Sequence, residues 1–296
     1  MKLRFILNPR SGANLRTPHL AADLAAYVRA HSLDADIALT TARHHAIELA
    51  RTAAAQGCER IVAVGGDGTV NEVAQGLLGT SAALAIIARG SGNGLARHLG
   101  LPRALPAALA LATDAAAPIL PIDTGLADGH LFLTAMGVGF DADIVHEFNE
   151  HPRRGLTAYV TTTLATWRRR PTLHCSISTG AATFALDALL IGVLNADQYG
   201  NNARLAPGAR VDDGLLNLVA VRPVGSVAAV LLASRLFLGG FDRSAHVVHL
   251  RAPRFIIERD APGLLHTDGE THPAGPRVEV AVTPRSLRVV VPVRTA

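Results

Sequence analysis

The sequence has almost no lysine, and this shortage excludes two common ways of binding phosphate. Lys2 is the single lysine among 296 residues. A Walker P-loop needs a lysine against the phosphates, and a protein kinase needs one on a strand of its nucleotide site. Because Lys2 stands in neither setting, any phosphate bound by this chain must be held by backbone amides, hydroxyl groups, arginine or metal.

Cysteine and aromatic residues are also scarce. The two cysteines, Cys58 and Cys175, are far apart in sequence, which predicts buried thiols rather than a disulfide framework. Aromatic residues make up 4% of the chain, and no basic patch interleaved with aromatics is present. We therefore expect no nucleic-acid partner, although a net charge of +4 would favour anionic membrane surfaces.

Long apolar runs are missing as well. No run approaches the ~18 residues that a membrane-spanning helix requires. The apolar stretch at the amino terminus is too short for a signal peptide, and Asn8-Pro9 interrupts it. With 49% hydrophobic residues and 18% charged residues the composition is that of a globular protein. These features predict a cytoplasmic protein, with peripheral contact at the inner membrane face as a further expectation.

The first half of the chain alternates short apolar runs, which predict strands, with amphipathic stretches, which predict helices. The predicted strands are Lys2–Leu7, Asp36–Leu39, Ile61–Val64 and Leu84–Ala88. Helices are predicted at about Thr17–His31, at Ala46–Gln56, and after the third and fourth strands. This alternation indicates an α/β domain whose parallel strands are joined by right-handed crossovers.

Three loops rich in glycine and small polar residues follow strands of this predicted sheet, at residues 8–12, 65–69 and 90–94. Thr69 and Glu72 in the second have the spacing of a capping box, which predicts that a helix begins there. The amides at such a helix start can receive an anion. Because ligands bind at the carboxyl ends of parallel strands, we expect the three loops to form one site.

From about Asp123 onward, short β-like segments dominate. Strands are predicted at His130–Met136, Leu173–Ser178, Ala188–Leu194, Leu215–Val221, Arg254–Glu258, Arg277–Val282 and Leu287–Val293. Two helical inserts are predicted, near Leu156–Arg169 and Val224–Phe241. The pattern predicts two domains, an α/β domain over residues 1–122 and an all-β sandwich over residues 123–296, whose last residues are able to pack back on the first domain.

Further motifs follow the three loops along the chain. They are IDTG at 122–125, FLTAMGVGFDADI at 132–144, LAPGARVDDGLL at 205–216 and TDGE at 267–270. Loops and motifs together resemble the diacylglycerol kinase catalytic-domain family, which includes bacterial soluble lipid kinases and sphingosine kinases. The resemblance implies a Rossmann-like parallel-sheet nucleotide-binding domain and a carboxyl-terminal β-sandwich domain, with the active site in the interdomain cleft.

The activity implied by this resemblance is that of an ATP- and Mg²⁺-dependent lipid kinase. Two alternatives stay open: a soluble-substrate kinase of the NAD kinase-like superfamily, and a non-catalytic module that binds nucleotide or lipid. The motifs at 8–12 and 205–216 argue against the first alternative. The retained acidic residues at 67 and 268–270 argue against the second.

By resemblance, the nucleotide would be held by residues of the loops and their surroundings: Asn8, Pro9, Arg10, Ser11, Gly12, Thr40, Gly65, Gly66, Asp67, Gly68, Thr69, Asn71, Ser91 and Asn93. Asp67 is expected to organise Mg²⁺ rather than to touch phosphate, because an ionised carboxylate only accepts hydrogen bonds. Asp123 would join the Asp67 metal network, or would simply form a turn. Glu72 is expected to be a capping residue without ligand contact.

The resemblance also implies a structural Mg²⁺ site remote from ATP. Its ligands would be the carboxylates of Asp212 and Asp213 and the main-chain carbonyls of Arg210 and Leu215. Hard oxygen ligands of this kind suit the ion. The alternative is that the two aspartates are solvated turn residues without a metal.

The acceptor lipid stays open. Gly94 stands where bacterial relatives often have an aspartate, and Gly90-Ser91-Gly92-Asn93 looks more like sphingosine kinases. Diacylglycerol, a sphingoid base, phosphatidylglycerol and monoacylglycerol all present a primary hydroxyl beside apolar chains.

Asp268 and Glu270 are predicted to hold the general base. They are two residues apart, so in an extended strand both carboxylates would point to the same side. A lipid hydroxyl attacking phosphorus needs a group that takes its proton, and the resemblance places that group in this triplet. Either residue is a candidate for the base, with the other positioning it; a hairpin turn with a solvated Glu270 is the alternative.

The stretch Val224–Phe241 is apolar around most of its circumference. Burial in the core is the ordinary interpretation of such a helix. The alternative is that its exposed end, together with Trp167 and the arginines at 168–170, docks on an anionic membrane. A homodimer through a β-sandwich edge is also possible on this pattern.

Overall fold

The computed structural model describes residues 1–150, 167, 172–200 and 202–293. These residues divide into two compact units, Met1–Ile122 together with the segment from Arg285, and Asp123–Pro284. The predicted helix at Leu156–Arg169 lies outside the described residues except for Trp167.

The helices and strands are numbered in chain order. The helices are α1 (Leu20–Ala30), α2 (His45–Ala55), α3 (Asp67–Leu77), α4 (Gly94–His98), α5 (Leu105–Thr113), α6 (Phe140–Glu150) and α7 (Ser226–Leu238). The strands up to residue 139 are β1 (Leu3–Leu7), β2 (Ala35–Leu39), β3 (Arg60–Gly65), β4 (Ala83–Ala88), β5 (Ile119–Ala127), β6 (His130–Phe132) and β7 (Ala135–Gly139). The later strands are β8 (Leu173–Ser178), β9 (Thr183–Ala188), β10 (Leu190–Leu194), β11 (Gln198–Gly200), β12 (Ala203–Arg204), β13 (Leu216–Val221), β14 (Val247–Ala252), β15 (Arg254–Arg259), β16 (Gly263–Thr267), β17 (Glu270–Ala274) and β18 (Arg277–Val290).

The first unit is built on a parallel sheet in the order β2-β1-β3-β4, as the alternation of the sequence predicts. The end of β18 continues the sheet, because Val289 pairs with Leu84 of β4 in parallel. β3 and β4 are almost wholly buried, which explains their uninterrupted apolar sequence. All four strands point their carboxyl ends to one edge, and the three glycine-rich loops begin there.

The second unit is antiparallel. One six-stranded sheet has the order β14-β13-β10-β7-β16-β17. The other strands pair as β9-β8-β15, with the first half of β18 beside β15. Side chains from both sets of strands share one hydrophobic core that includes Met136, Phe255 and Leu265. The unit is therefore a β-sandwich, as predicted.

Several predicted boundaries are wrong. The strand predicted at His130–Met136 is two strands, β6 and β7, because the chain turns at residues 133–134 to bind a carboxylate described below. The strand predicted at Ala188–Leu194 is likewise divided between β9 and β10. Conversely, Arg277–Val282 and Leu287–Val293 belong largely to one long strand, β18, since Pro284 and the polar residues near it do not interrupt the pairing at either end.

Both cysteines are free and buried, as predicted. Burial raises the pKa of the Cys175 thiol to about 11. Within the described part of the chain, no helix combines the length and apolarity needed to cross a bilayer.

Candidate functional site

The first and third glycine-rich loops are joined by backbone and side-chain hydrogen bonds. The Ala13 amide donates to the Arg89 carbonyl oxygen at 2.8 Å. The Asn14 side chain is buried and donates to the carbonyls of Asn8 and Val64, and it accepts from Arg89 Nε at 2.9 Å. Neither Asn14 nor Arg89 was predicted as a site residue, although both lie immediately beside the loops at residues 8–12 and 90–94.

The second loop lies against both of these loops. The Gly66 amide donates to Ser11 Oγ at 2.7 Å. A Cβ on Gly90 would lie 2.6 Å from Gly66 Cα, and a Cβ on Gly66 would lie 3.2 Å from Ser11 Oγ. Glycine is therefore required here because three stretches of backbone meet with no room for a side chain. The predicted convergence of residues 8–12, 65–69 and 90–94 is what the structure shows.

Asp67 holds the third loop through its carboxylate. Oδ2 accepts the Asn93 amide and Oδ1 accepts the Gly94 amide, both at 2.8 Å. Asn93 has a left-handed φ of 53°, and its side chain bonds back to the amide and carbonyl of Gly90. Asp67 thus shapes the loop. A carboxylate fixed on both oxygens in this way is a hard, acceptor-only group.

The capping box predicted at Thr69 and Glu72 is wrong. α3 begins at Asp67 with Gly66 as its N-cap, and Thr69 is buried inside the first turn. Glu72 caps a different helix: its Oε1 accepts the His44 amide at 2.9 Å and its Oε2 accepts the Ala46 amide at 3.2 Å, at the start of α2. It is a capping residue, as expected, but through a contact that sequence spacing cannot reveal.

The other predicted nucleotide residues lie around the same edge of the sheet. Thr40 follows β2, and its amide donates to the Leu7 carbonyl at 3.0 Å. Asn8 Nδ2 donates to Thr69 Oγ1 at 3.0 Å. The remaining side chains are exposed at the loop tips or packed within α3: Pro9, Arg10 and Ser91 are exposed, and Asn71 Oδ1 accepts from Gln75 within the helix.

A positively charged side chain supports the third loop. Arg97 Nε donates to the Gly92 carbonyl at 2.8 Å. Burial, and secondarily the charge of Arg103, lowers the pKa of Arg97, whereas Asp67 acts in the opposite direction.

In the second unit, Asp268 is bound on both carboxylate oxygens. Oδ2 accepts the Leu133 amide at 2.7 Å, and Oδ1 accepts the amides of Thr134 and Ala135 at 2.9 and 3.1 Å. The Thr134 hydroxyl also donates to Oδ1. Asp268 therefore fixes the link between β6 and β7.

The extended geometry predicted for Asp268 and Glu270 is wrong. Asp268 and Gly269 have φ values of 48° and 90° and form the two-residue turn between β16 and β17, with Thr267 paired to Glu270. Positive φ at both central residues is what an Asp-Gly hairpin turn favours. Glu270 is half-buried at the first position of β17.

Asp123 and the adjacent aspartates form one turn structure in the second unit. Asp123 is buried, and its Oδ2 accepts the Gly214 amide at 2.7 Å. Asp212 is paired with Arg210, and Asp213 is paired with Arg251 at 2.6 Å. The amide of Leu215 donates to Asp213 Oδ1 at 3.1 Å. Among the described residues no group of three or more His, Cys, Asp or Glu side chains is arranged to hold a metal.

A buried cluster of Tyr199, Asp141 and His266 was not predicted from the sequence as a cluster. His266 Nε2 lies 2.7 Å from Asp141 Oδ2 and 2.5 Å from the Tyr199 hydroxyl, which itself donates to Asp141. His266 Nδ1 is buried without a hydrogen-bond partner. The cluster joins β16 to α6 and β11, immediately before the Asp268 turn. Nearby on α6, burial and the charge of Glu147 raise the pKa of Asp143.

These features define a class of protein: a parallel α/β unit with a glycine-lined loop cluster at the carboxyl ends of its strands, followed by an antiparallel β-sandwich unit. The model of the diacylglycerol kinase catalytic domain matches residues 2–126, and that of the YegS C-terminal NAD kinase β-sandwich-like domain matches residues 134–291. The chain therefore belongs to the diacylglycerol kinase and YegS-like lipid kinase family, as the motifs indicated.

Individual relatives agree with this assignment. The chain is 35% identical over 245 residues to a probable lipid kinase YegS-like protein of Pseudomonas aeruginosa strain UCBPP-PA14, covering 81% of this chain and 79% of the relative. It is 27% identical over 275 residues to a diacylglycerol kinase of Bacillus subtilis strain 168, covering 91% and 89%.

Solved structures show the same fold. A diacylglycerol kinase from Bacillus anthracis strain Sterne has a TM-score of 0.74 at 24% identity, covering 98% of this chain and 96% of that chain. An NAD kinase from Archaeoglobus fulgidus in complex with ATP has a TM-score of 0.53 at 12% identity, covering 98% and 93%. These likenesses concern the fold alone.

Proposed function

We propose that this chain is an ATP- and Mg²⁺-dependent lipid kinase that transfers the γ-phosphoryl group of ATP to the hydroxyl of a lipid. The observation that carries the proposal is the contact of Gly66 with Gly90 and Ser11, which brings the three loops together at the start of α3. Without a lysine to contact phosphate, such a loop cluster supplies the amides and hydroxyls that can hold it.

The start of α3 is the centre of the proposed nucleotide site. The first amides of a helix have no partner within the helix, and the helix dipole favours a negative charge there. The Cβ position of Gly68 faces open space, with no atom within 4 Å. We infer that the amides of this first turn and the hydroxyls of Ser11 and Ser91 hold the phosphates, with the remaining predicted residues shaping the loops.

Asp67 is the proposed metal ligand of this unit. Its two hydrogen bonds to the Asn93 and Gly94 amides fix the carboxylate, and a fixed carboxylate oxygen is a ligand that suits Mg²⁺. When bound, Mg²⁺ offsets the negative charge of the phosphate oxygens. Gly94, at a position where bacterial relatives often have an aspartate, contributes its backbone amide to this arrangement rather than a side chain.

Glu270 is the proposed general base. Asp268 accepts hydrogen bonds from three amides and a hydroxyl and holds the link between β6 and β7, so we assign the proton transfer to the other carboxylate of the pair, the half-buried Glu270. As the lipid oxygen bonds to the γ-phosphorus and the bond to the β–γ bridging oxygen breaks, Glu270 takes the hydroxyl proton and ADP leaves. Asp268 is a positioning residue.

A second, structural Mg²⁺ held by Asp212 and Asp213 remains part of the proposal. Arg210 and Arg251 bind these carboxylates through ion pairs, so Mg²⁺ would have to compete with the two arginines. With two carboxylates available, main-chain carbonyls of Arg210 and Leu215 and water would have to complete the ligand set.

The test is phosphorylation by the purified chain with radiolabelled ATP, Mg²⁺ and mixed bacterial lipids. We expect label in an organic-phase product, and a loss of that label with Asp67→Asn or with chelator. Label in a phosphorylated dinucleotide, in a parallel reaction that contains NAD in place of lipid, would establish the soluble-substrate alternative. Robust lipid phosphorylation by Asp67→Asn in the presence of Mg²⁺ would refute the role given to Asp67.

A further inference from the structure

Helix α7 has apolar residues on two opposite faces, and the protein core covers one of them. Leu232 is 6% exposed, and it packs with Leu236 into a hydrophobic cluster that includes Leu205, Val219 and Phe241. Leu232 is the buried residue of the helix. The expectation that this stretch is buried in the core therefore holds for one face and is wrong for the other.

The opposite face of α7 is apolar and exposed. It carries Val227, Val230, Leu231, Phe237 and Leu238, which are 78%, 67%, 61%, 52% and 86% exposed. Most of these positions follow the i, i+3, i+4 and i+11 spacing that places side chains on one side of a helix. Ser234 lies among them, but its hydroxyl donates to the Leu231 carbonyl at 2.7 Å and so does not need water. We call these five residues the outer α7 face.

The surroundings of the outer α7 face are cationic. Arg222 and Arg235 are exposed, and no aspartate or glutamate occurs between residues 214 and 241; after the helix, the exposed Arg243 is next to Asp242. At the start of the helix, Trp167 Nε1 donates to Ser226 Oγ at 3.1 Å. The Trp167 ring is partly buried and packs edge-on against Phe140, with 5.7 Å between the ring centroids, so it fixes the start of α7.

We propose that the outer α7 face docks on an anionic lipid surface, with its apolar side chains among the acyl chains and its arginines at the head groups. A helix with apolar residues on one side and cationic residues at its border has this mode of binding. The biological role of this docking rests on the proposed function, because a lipid kinase must reach an acceptor held in a membrane. Its physical basis is independent of catalysis.

A second copy of the chain is a poorer occupant of this face. The helix has 13 residues, so it is about 20 Å long and about 10 Å wide, and one face offers roughly 200 Å². A stable interface needs about 800 Å² from each partner. A symmetric contact would also bring Arg235 of two copies together, and α7 contains no carboxylate to pair with it.

The experiment is sedimentation of the full chain with vesicles, without nucleotide. Vesicles of phosphatidylcholine alone are compared with vesicles that also contain phosphatidylglycerol. We expect clear binding to the anionic vesicles, weaker binding to the neutral ones, and a decrease at high salt. Leu231→Gln with Leu238→Gln should weaken binding about tenfold per leucine, and Arg235→Gln should weaken it about fivefold.

Phe184→Gln is the matched control, because Phe184 is an exposed apolar side chain of the same unit, 44% exposed, outside α7. It should bind vesicles like the unchanged chain, and all variants should keep their melting temperature. Equal binding by the double leucine variant, or equal binding to neutral and anionic vesicles, would overturn the proposal. Conversion of a dimer to a monomer by the leucine changes, with vesicle binding unaltered, would make the face a contact between copies.

Activity on a dispersed short-chain acceptor separates this proposal from the proposed function. The double leucine variant should phosphorylate such an acceptor like the unchanged chain while losing its vesicle binding. Vesicle binding without any lipid phosphorylation would refute the kinase and leave the docking face. Phosphorylation without vesicle binding would refute the docking face and leave the kinase.

Discussion

Replacing Asp268 and Glu270 separately should give two different defects. Asp268→Asn keeps a residue that tolerates the left-handed φ of 48°, but it replaces one acceptor oxygen with an NH₂ group. The Leu133 amide, bonded at 2.7 Å to Oδ2, then loses its partner. A hydrogen bond to a charged group contributes about 1.5–3 kcal/mol, so we expect the free energy of unfolding to fall by about 2 kcal/mol.

For a unit of this size, a loss of about 2 kcal/mol lowers the melting temperature by roughly 4–8 °C. Glu270→Gln keeps the shape of the side chain and should change the melting temperature by less than about 2 °C. It removes the proposed proton acceptor, so kcat should fall by about 10²–10⁴-fold. Calorimetry and initial rates with a good acceptor lipid measure the two effects.

Asp128→Asn is the matched control for Asp268→Asn. Asp128 also precedes a glycine in a turn, with φ of 47°, but it is exposed and accepts one amide, that of Glu279. Its replacement should be much less destabilising. The reasoning is refuted if Asp268→Asn melts like the unchanged chain and loses kcat by two orders of magnitude while Glu270→Gln stays fully active, because Asp268 would then be the base.

Four further predictions concern single residues. Gly90→Ala should abolish most ATP binding measured by calorimetry, since its Cβ would lie 2.6 Å from the Gly66 backbone; unchanged affinity would contradict the proposed nucleotide site. Glu72→Gln should lower the free energy of unfolding by about 1 kcal/mol through loss of the α2 cap, with no change in kcat. A fall in kcat with an unchanged free energy of unfolding would instead indicate that Glu72 contacts a ligand. Mg²⁺ should raise the melting temperature and Asp213→Ala should remove that rise; if Asp213→Ala left both bound Mg²⁺ and thermal stability unchanged, there is no structural metal. The Cys175 thiol should resist alkylation at pH 8 until the protein unfolds, because burial raises its pKa to about 11 and the thiolate is the reactive form; rapid modification of the native chain would contradict its burial.

The local pattern of apolar and polar residues was sufficient to predict the parallel sheet and the loops of the first unit. β3 and β4 are buried on both faces and read as nearly unbroken apolar runs, and a glycine-rich loop follows each of them directly. The convergence of Ser11, Gly66 and Gly90 follows from strand order in a parallel sheet, so the candidate nucleotide site could be predicted without coordinates.

The failures share one cause, which is contact between residues distant in sequence. Glu72 has the right spacing to cap its own helix but caps α2, 26–28 residues earlier. Asp268 bonds a segment more than 130 residues away, and this contact divides a predicted strand. Spacing rules describe near neighbours and cannot anticipate such pairs.

The outer α7 face could not be predicted from the sequence for a different reason. Leu231 and Leu232 are adjacent, with the same side chain, yet one is 61% exposed and the other 6% exposed. Composition cannot distinguish them because apolarity around the whole circumference is equally consistent with burial and with an exposed lipid-binding face.

The most direct test of the account is a screen of lipid acceptors with ATP and Mg²⁺, in which mass spectrometry identifies any product that is one phosphoryl group heavier. We expect the unchanged chain to phosphorylate a lipid with a primary hydroxyl, and Glu270→Gln to form that product at least about 100-fold more slowly. A panel in which no lipid gains phosphate while ATP remains bound, or in which Glu270→Gln forms the product at the unchanged rate, would contradict the account.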